Sequence, residues 1–396
     1  MINSSKLLPV HKRFNLNFVH GKGVYLYDDK ENKYLDFSSG IAVNSLGHCH
    51  PKMVNAIINQ SQKLWHVSNI YSTNELNCFA EKIISATKIF NYAFFCNSGA
   101  EAVECAIKMM RRYFYIKNSK KYRIITFKGA FHGRTIATIS ASAKKKYLEG
   151  FEPALPGFDN VEFGDIEAVK KIISNETAGI LIEPIQGEEG IRVSEKKFIN
   201  DLRKICDENN MLLAFDEVQC GMGRTGYLFA YEYYGVKPDI ISTAKGIGGG
   251  FPIGACLANK ESAIGMTYGV HGTTYGGNPL AMSVANAVLE EIISSGFLEQ
   301  VRINGEFLKQ ELIKLQNKFN NIISEVRGVG FMVGIKINEK IEHAQIVQKF
   351  IDHKFLSVPA SDNVIRILPP LISTKENIIE AIEKINDSLN DFQKDL

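Results

Sequence analysis

Tyr92-Ala93-Phe94-Phe95-Cys96-Asn97-Ser98-Gly99-Ala100-Glu101 passes abruptly from large apolar residues to small polar ones. The apolar half, Tyr92–Cys96, reads as a strand. Beyond it, Val103, Ile107, Met110 and Phe114 keep the spacing of one helix face, so a helix is predicted over 102–115. Ser98 and Glu101 have the S-x-x-E spacing of a capping box. Small residues there leave the first helical amides open to a ligand, and the helix dipole favours an anion. A well-capped helix with no ligand would give the same local pattern.

The same strand-then-helix texture continues along the chain. Strands are predicted at Arg123–Phe127, Gly179–Glu183, Met211–Phe215 and Asp239–Thr243, and helices at Ile166–Ile173 and Glu195–Asn209. Alternation of this kind implies an α/β fold with a mostly parallel sheet covered on both faces. Functional groups in such a sheet gather where strands end. The chemically rich stretches fall there: Asn97–Ala100, Lys128–Arg134, Glu183–Gly190, Asp216–Gly226 and Lys245–Gly254.

With 396 residues the chain is long enough for a large core and a smaller one. From Pro279 the texture changes: a long helical run, a helix near Phe307–Phe319, then Val329–Ile337, another helix, and a strand near Val364–Leu368. The organisation predicted is a large domain over 51–278 and a smaller α+β domain over 279–396. A segment over 1–50 is expected to pack with the smaller one. Gly23–Tyr27 and Tyr34–Phe37 read as a hairpin around the turn Asp28–Asn32.

Charge and cysteine content narrow the class. The 46 basic and 43 acidic residues are interspersed, for a net charge of +3, which gives no reason to expect nucleic acid or a membrane as partner. Lys144-Lys145-Lys146, the densest basic cluster, reads as a solvated loop. Met1–Val10 is polar, with no apolar signal core, and no stretch approaches the roughly 18 apolar residues of a membrane span. The seven cysteines form no C-x-x-C pair and sit mostly among apolar neighbours, as buried free thiols in a reducing cytoplasm would. Adjacent residues cannot readily wrap one tetrahedral ion, so His48-Cys49-His50 is read as a turn, with no metal expected.

Two further residues point to specific chemistry. Asp216 ends the apolar strand Leu212-Leu213-Ala214-Phe215, where a carboxylate is costly without a cationic partner; a protonated pyridine nitrogen would be one, and loop amides would be another solution. Lys245 stands between the strand Asp239–Thr243 and the glycines Gly246–Gly250. Desolvation there would lower its pKa, and an amine depleted of its proton is what Schiff-base chemistry requires. Because the lysine precedes the glycines, this is no Walker loop. Gly221-Met222-Gly223-Arg224-Thr225-Gly226 spells G-x-G-x-x-G, but Tyr227–Gly235 is too short and too aromatic for the long helix of a dinucleotide fold.

Together these pieces resemble the class-III, fold-type I pyridoxal-phosphate aminotransferases, in the subgroup that acts on terminal amines. The likeness runs over nearly the whole chain. It includes Gly40–His48, Asn97–Ala102, Phe131–Thr135, Glu183–Glu188, Asp216–Gln219, Lys245-Gly246, Gly272–Pro279 and Arg366–Leu371. By that resemblance Lys245 holds pyridoxal 5'-phosphate and shuttles the proton, and Asp216 keeps the pyridine nitrogen protonated. Ser98, Gly99 and Ala100 bind the phosphate, joined by Thr274 from the partner subunit of a homodimer. Phe131 stacks on the ring and Gln219 lies near its hydroxyl. Among the substrate-binding residues Arg134, Glu188, Thr273 and Arg366, Arg134 holds the distal carboxylate and Arg366 the one beside the reacting carbon. Glu188 masks Arg366 when the donor has no carboxylate there. Glu189 stands where the resemblance leads one to expect a small residue, and a second carboxylate there would raise the pKa of Glu188 or shift its pairing.

The runs Ala42–Gly47 and Pro359–Arg366 are most similar to the branch acting on N2-acetylornithine. The implied reaction transfers its terminal amino group to 2-oxoglutarate, giving N-acetylglutamate 5-semialdehyde and glutamate in arginine biosynthesis. N-succinyl-diaminopimelate is a second substrate of the same shape. Ornithine, succinylornithine or 4-aminobutyrate transfer, an intramolecular aminomutase and a catalytically inactive scaffold are the competing readings.

Overall fold

The computed structural model describes residues 6–395. The first five residues of the expected N-terminal segment and Leu396 of the expected small domain lie outside them. At the centre is a seven-stranded sheet in the order Tyr92–Cys96, Gly254–Ala258, Ile240–Thr243, Leu212–Asp216, Thr177–Ile182, Arg123–Phe127 and Phe158–Val161. Helix Gly99–Ile116 buries Val103, Ile107, Met110 and Phe114, the face its spacing predicted. Both faces of the sheet are covered, so Thr177–Ile182 and Leu212–Asp216 are buried at every position and read as unbroken apolar runs.

Gly254–Ala258 was not predicted as a strand. It is antiparallel to both its neighbours, Ile240–Thr243 and Tyr92–Cys96. Its residues, Gly-Ala-Cys-Leu-Ala, are small, wholly buried and without alternation, so no period marks them. Thr177–Ile182 starts two residues before the predicted strand and ends one before it, which leaves Glu183 just past the sheet. Leu212–Asp216 is shifted by one, so Asp216 is the strand's last residue.

A second sheet, wholly antiparallel, runs Ile323–Val329, Met332–Ile337, Val364–Ile367, Val358–Ala360. The single segment predicted at 329–337 is in fact the turn and second arm of a hairpin. The helix expected near 307–319 begins at Phe297. A third sheet combines the N-terminal strands Phe18–Lys22, Tyr25–Asp28 and Lys33–Asp36 with Phe355–Leu356, which adds in parallel. The start of the chain is therefore hydrogen-bonded to its last quarter. Among the described residues no single helix is long and apolar enough to cross a membrane.

Candidate active site

Every strand of the large sheet that runs parallel delivers a polar segment to one edge. At Ser98 the chain turns from extended backbone (φ −152°) into helix Gly99–Ile116. Ser98 Oγ accepts from the Glu101 amide at 3.3 Å, and Glu101 in turn accepts from Ser98 Oγ (2.9 Å), the Asn97 amide (3.0 Å) and Asn97 Nδ2 (2.9 Å). The reciprocal cap predicted from S-x-x-E thus forms with its return arm one residue further back. The amides of Gly99 and Ala100 open the helix with no intrahelical acceptor. A side chain at 99 would put its Cβ 2.7 Å from Val218 Cγ1, so only glycine lets the helix start this close to the Asp216 loop.

This helix start lines a cavity of about 380 Å³ together with Phe131, His132, Arg134, Asp216, Val218 and Lys245. Asp216 and Ser242 are register partners on adjacent parallel strands, which sets Lys245 one strand from the acid. Asp216 is buried; its Oδ1 accepts from the Val218 amide at 3.0 Å and its Oδ2 lies 2.7 Å from His132 Nδ1. An ionised carboxylate only accepts, so His132 Nδ1 is the donor, leaving Nε2 as the ring's other polar atom. That Nε2 is buried without a partner among the described residues. His132 belongs to a motif the sequence singled out, yet its pairing with Asp216, 84 residues away, left no local signal.

The Lys245 side-chain amine makes no hydrogen bond or ion pair among the described residues. The residue adopts φ +47°, a left-handed conformation that costs about 1–2 kcal/mol for a side chain of this kind. The strain is held by neighbours: the Gly248 and Gly249 amides donate to the Lys245 carbonyl, and Ser45 Oγ donates to the Gly246 carbonyl at 2.9 Å. Burial lowers the pKa of the Lys245 amine; Glu188 pulls it back up and Arg366 pushes it further down. Glu183 opens the stretch 183–190 that the sequence places at the sheet edge, but the sequence assigns it no individual role. It accepts from the Phe131 amide at 2.8 Å, and burial, then the charge of Asp216, push its carboxyl well above the usual range.

Glu188, Gln219 and Arg366 form a second group whose charges reach Lys245. Arg366 is fully buried in the strand Val364–Ile367. Its Nη1 lies 2.6 Å from Glu188 Oε1 and its Nη2 3.3 Å from Oε2, with further bonds to the carbonyls of Gly187 and Pro359 and to Gln219 Oε1. Arg366 is therefore no surface strand arginine. Burial is the largest influence on the Glu188 carboxyl and would raise it, but Arg366, Lys245 and Lys144 together draw the pKa down.

Arg134 is the opposite case. It is exposed, has no carboxylate partner among the described residues, and its guanidinium lies over the ring of Tyr147, 3.9 Å from the centroid. Tyr147 meets Phe131 edge-on, with centroids 5.9 Å apart. Tyr147 was not among the predicted residues. Thr273 accepts from Asn97 Nδ2 at 3.4 Å and from the Gly276 amide at 3.2 Å, behind the helix start. Thr274 is exposed and does not line the cavity of its own chain.

Two expectations are corrected here. Glu189 does not raise the pKa of Glu188, because it turns away and pairs with Lys144. Lys144 is accordingly no solvated loop residue but a half-buried partner in that pair. His48, in the turn read from His48-Cys49-His50, pairs with Asp36 at 2.8 Å. In the G-x-G-x-x-G stretch Arg224 is buried and donates to the carbonyls of Phe331 and Pro369, stitching the two sheets together.

Known proteins agree with this geometry. The class-III aminotransferase family matches residues 9–389. An acetylornithine aminotransferase of Agrobacterium fabrum is 52% identical over 96% of this chain and 95% of its own. Among solved structures, N-acetylornithine aminotransferase from Stenotrophomonas maltophilia superposes with a TM-score of 0.84 at 33% identity, covering 96% of this chain and 97% of its own. The ornithine aminotransferase of Toxoplasma gondii, with PLP at partial occupancy in its active site, superposes at 0.92 with 28% identity, covering 98% and 93%. The chain belongs to the class-III aminotransferases, enzymes of fold-type I.

Proposed function

We propose that this aminotransferase moves the terminal amino group of N2-acetylornithine to 2-oxoglutarate, giving N-acetylglutamate 5-semialdehyde and glutamate, with pyridoxal 5'-phosphate as cofactor. The cavity suits that group. It combines an unpaired amine at Lys245, a buried carboxylate at Asp216, an aromatic face at Phe131 and the free amides of Gly99 and Ala100. When bound, the cofactor supplies an electron sink for the carbon that loses its proton.

The chain's own residues then divide the work. Lys245 Nζ would hold the cofactor and would move the proton at the amine-bearing carbon. Burial lowers the pKa of that amine, which eases the loss of its proton. Asp216 holds the pyridine nitrogen in its charged form, and His132 fixes the carboxylate from the other side. Ser98, Gly99 and Ala100 take the phosphate. Thr274, exposed here, reaches the phosphate of the partner subunit in a homodimer. Gln219 lies toward the ring hydroxyl and Thr273 steadies the helix start. We place this reaction in arginine biosynthesis in the cytoplasm, and divide the chain at about 50 and 278 into the segment and two domains expected.

The observation that carries the substrate reading is the contrast between the two arginines. Arg134 is free to fork a carboxylate that both substrates have, whereas Arg366 is masked by Glu188. A donor reacting through its terminal amine brings no carboxylate to Arg366, and 2-oxoglutarate does. A panel of donors with 2-oxoglutarate, followed by glutamate formation, tests this. Acetylornithine should lead, with N-succinyl-diaminopimelate behind it. A clear lead for ornithine or 4-aminobutyrate refutes the substrate, and turnover without 2-oxoglutarate would mark an aminomutase.

A further inference from the structure

Consecutive carboxylates at Glu188 and Glu189 face two different cations. Glu188 turns to Arg366 at 2.6 Å, and Glu189 turns to the ammonium of Lys144. The Lys144–Glu189 pair is shielded, with side chains 19% and 26% exposed. Lys144 begins the short helix Lys145–Leu148 as its N-cap, after a left-handed turn at Ala143. It is thus held beside the loop that carries Glu188. Its charge also reaches Glu188: after burial, Arg366 and Lys245, Lys144 is the next influence on that carboxyl, and it draws it down.

We propose that Glu189 anchors Lys144 as the second resting place of Glu188, the cation it faces when it swings off Arg366 to admit a carboxylate. This deepens the proposed function and rests on its Glu188–Arg366 gate. A carboxylate leaving a buried arginine for bare solvent loses its ion pair outright, whereas one passing to a lysine already in place keeps part of it. Without Lys144, moreover, the uncompensated Glu189 would repel Glu188 toward Arg366. Lys144 is therefore a positioning residue that biases the gate toward opening.

A rival role runs through Tyr147, since Lys144 also stands 5.9 Å over the ring on which Arg134 stacks. The two roles separate cleanly. Both substrates place a carboxylate at Arg134, so a role through Tyr147 slows both half-reactions alike, while a role through Glu188 touches only the half that needs Arg366.

The experiment uses the holoenzyme in separated half-reactions, together with calorimetric binding of glutarate, an unreactive dicarboxylate. In Lys144→Met the donor half-reaction should keep its rate constant and half-saturation. The 2-oxoglutarate needed to half-saturate the acceptor half should rise about fivefold, and glutarate affinity should fall by a similar factor. Lys144→Arg should restore both. Equal losses in the two halves, or an undisturbed acceptor half, overturn the proposal. Arg366→Gln checks the reading beneath it. If that variant leaves the acceptor half unaffected, the gate itself fails; if it acts and Lys144→Met does not, only the role of Lys144 falls.

Discussion

Glu188→Gln isolates the masking charge at nearly constant shape. Arg366 has a side chain only 1% exposed, and it holds Glu188 through contacts of 2.6 and 3.3 Å. Charge-assisted hydrogen bonds contribute about 1.5–3 kcal/mol. The Glu188 side chain is 24% exposed, which places this pair toward the lower end. The amide retains an acceptor for Nη1, and Arg366 keeps the carbonyls of Gly187 at 3.3 Å and Pro359 at 3.1 Å. The folded state should therefore lose about 1–2 kcal/mol, short of the 3–5 kcal/mol seen when a buried charge is left with nothing. The same interaction is what a carboxylate must displace to reach Arg366. If roughly 1.4 kcal/mol of it reappears as ligand affinity, 2-oxoglutarate and glutamate bind about tenfold more tightly. In single-turnover half-reactions, glutamate should then gain about tenfold over acetylornithine as amino donor. The melting temperature, read alongside, reports the stability cost. An unchanged glutamate-to-acetylornithine ratio in a folded variant would falsify the gate, because the one carboxylate paired with Arg366 among the described residues would have been removed without effect.

Further outcomes follow from the rest of the site. Asp216→Asn keeps the hydrogen-bonding shape but not the charge, so turnover should fall by at least about 10²-fold while the fold persists; activity within tenfold of the parent means that Asp216 is structural. Tyr147→Ala removes the face under Arg134 and should raise the half-saturating concentration of both substrates about two- to fivefold, with Tyr147→Phe close to the parent. Equal behaviour of the two variants would rule out stacking. Burial pushes Glu217 up to about 8, against about 4.3 in an unfolded chain. Between those values the folded state holds a proton that the unfolded state releases, so this group's contribution to stability falls as pH rises. Urea midpoints measured across that window should decline more steeply in the parent than in Glu217→Gln.

The parts of the site that are legible in sequence share one property: each is written within a few residues. Ser98–Glu101 is a helix start, Asp216 an acid closing an apolar run, Lys245 an amine before glycines, and each local pattern fixes its place at the sheet edge. The partners of these groups are not legible. His132 meets Asp216 across 84 positions and Lys144 meets Glu189 across 45, because the turns between strands bring together segments whose local sequences are independent. Gly254–Ala258 escaped for the reverse reason. Buried on both faces and built of small residues, it has no polar face to alternate with, and the glycines before it read as loop. Glu183 looks like the end of a strand, and only its burial against Asp216 shows that its proton is held more tightly than usual.

The two arginines proposed to bind carboxylates occupy environments that the proposed tasks require to differ. Arg134 follows a strand of the large sheet and lies in the open, where an unpaired guanidinium remains hydrated and stacking on Tyr147 keeps it aimed. It can wait for a ligand at little cost. Arg366 sits in mid-strand in the smaller sheet, opposite Gly334 and Val358, where an unpaired charge would cost several kcal/mol. It cannot wait unpaired, and a fixed partner would exclude 2-oxoglutarate. In the proposed gate a carboxylate on a loop meets both demands, since it would stabilise the arginine during the donor half-reaction and leave when a better-placed anion arrives. Burial of Arg366 and mobility of Glu188 are thus one requirement seen from two sides. On this reasoning, exposing Arg366 to solvent by trimming its neighbours would relax donor specificity even with Glu188 intact, because the water that hydrates the arginine would do the masking that Glu188 now does.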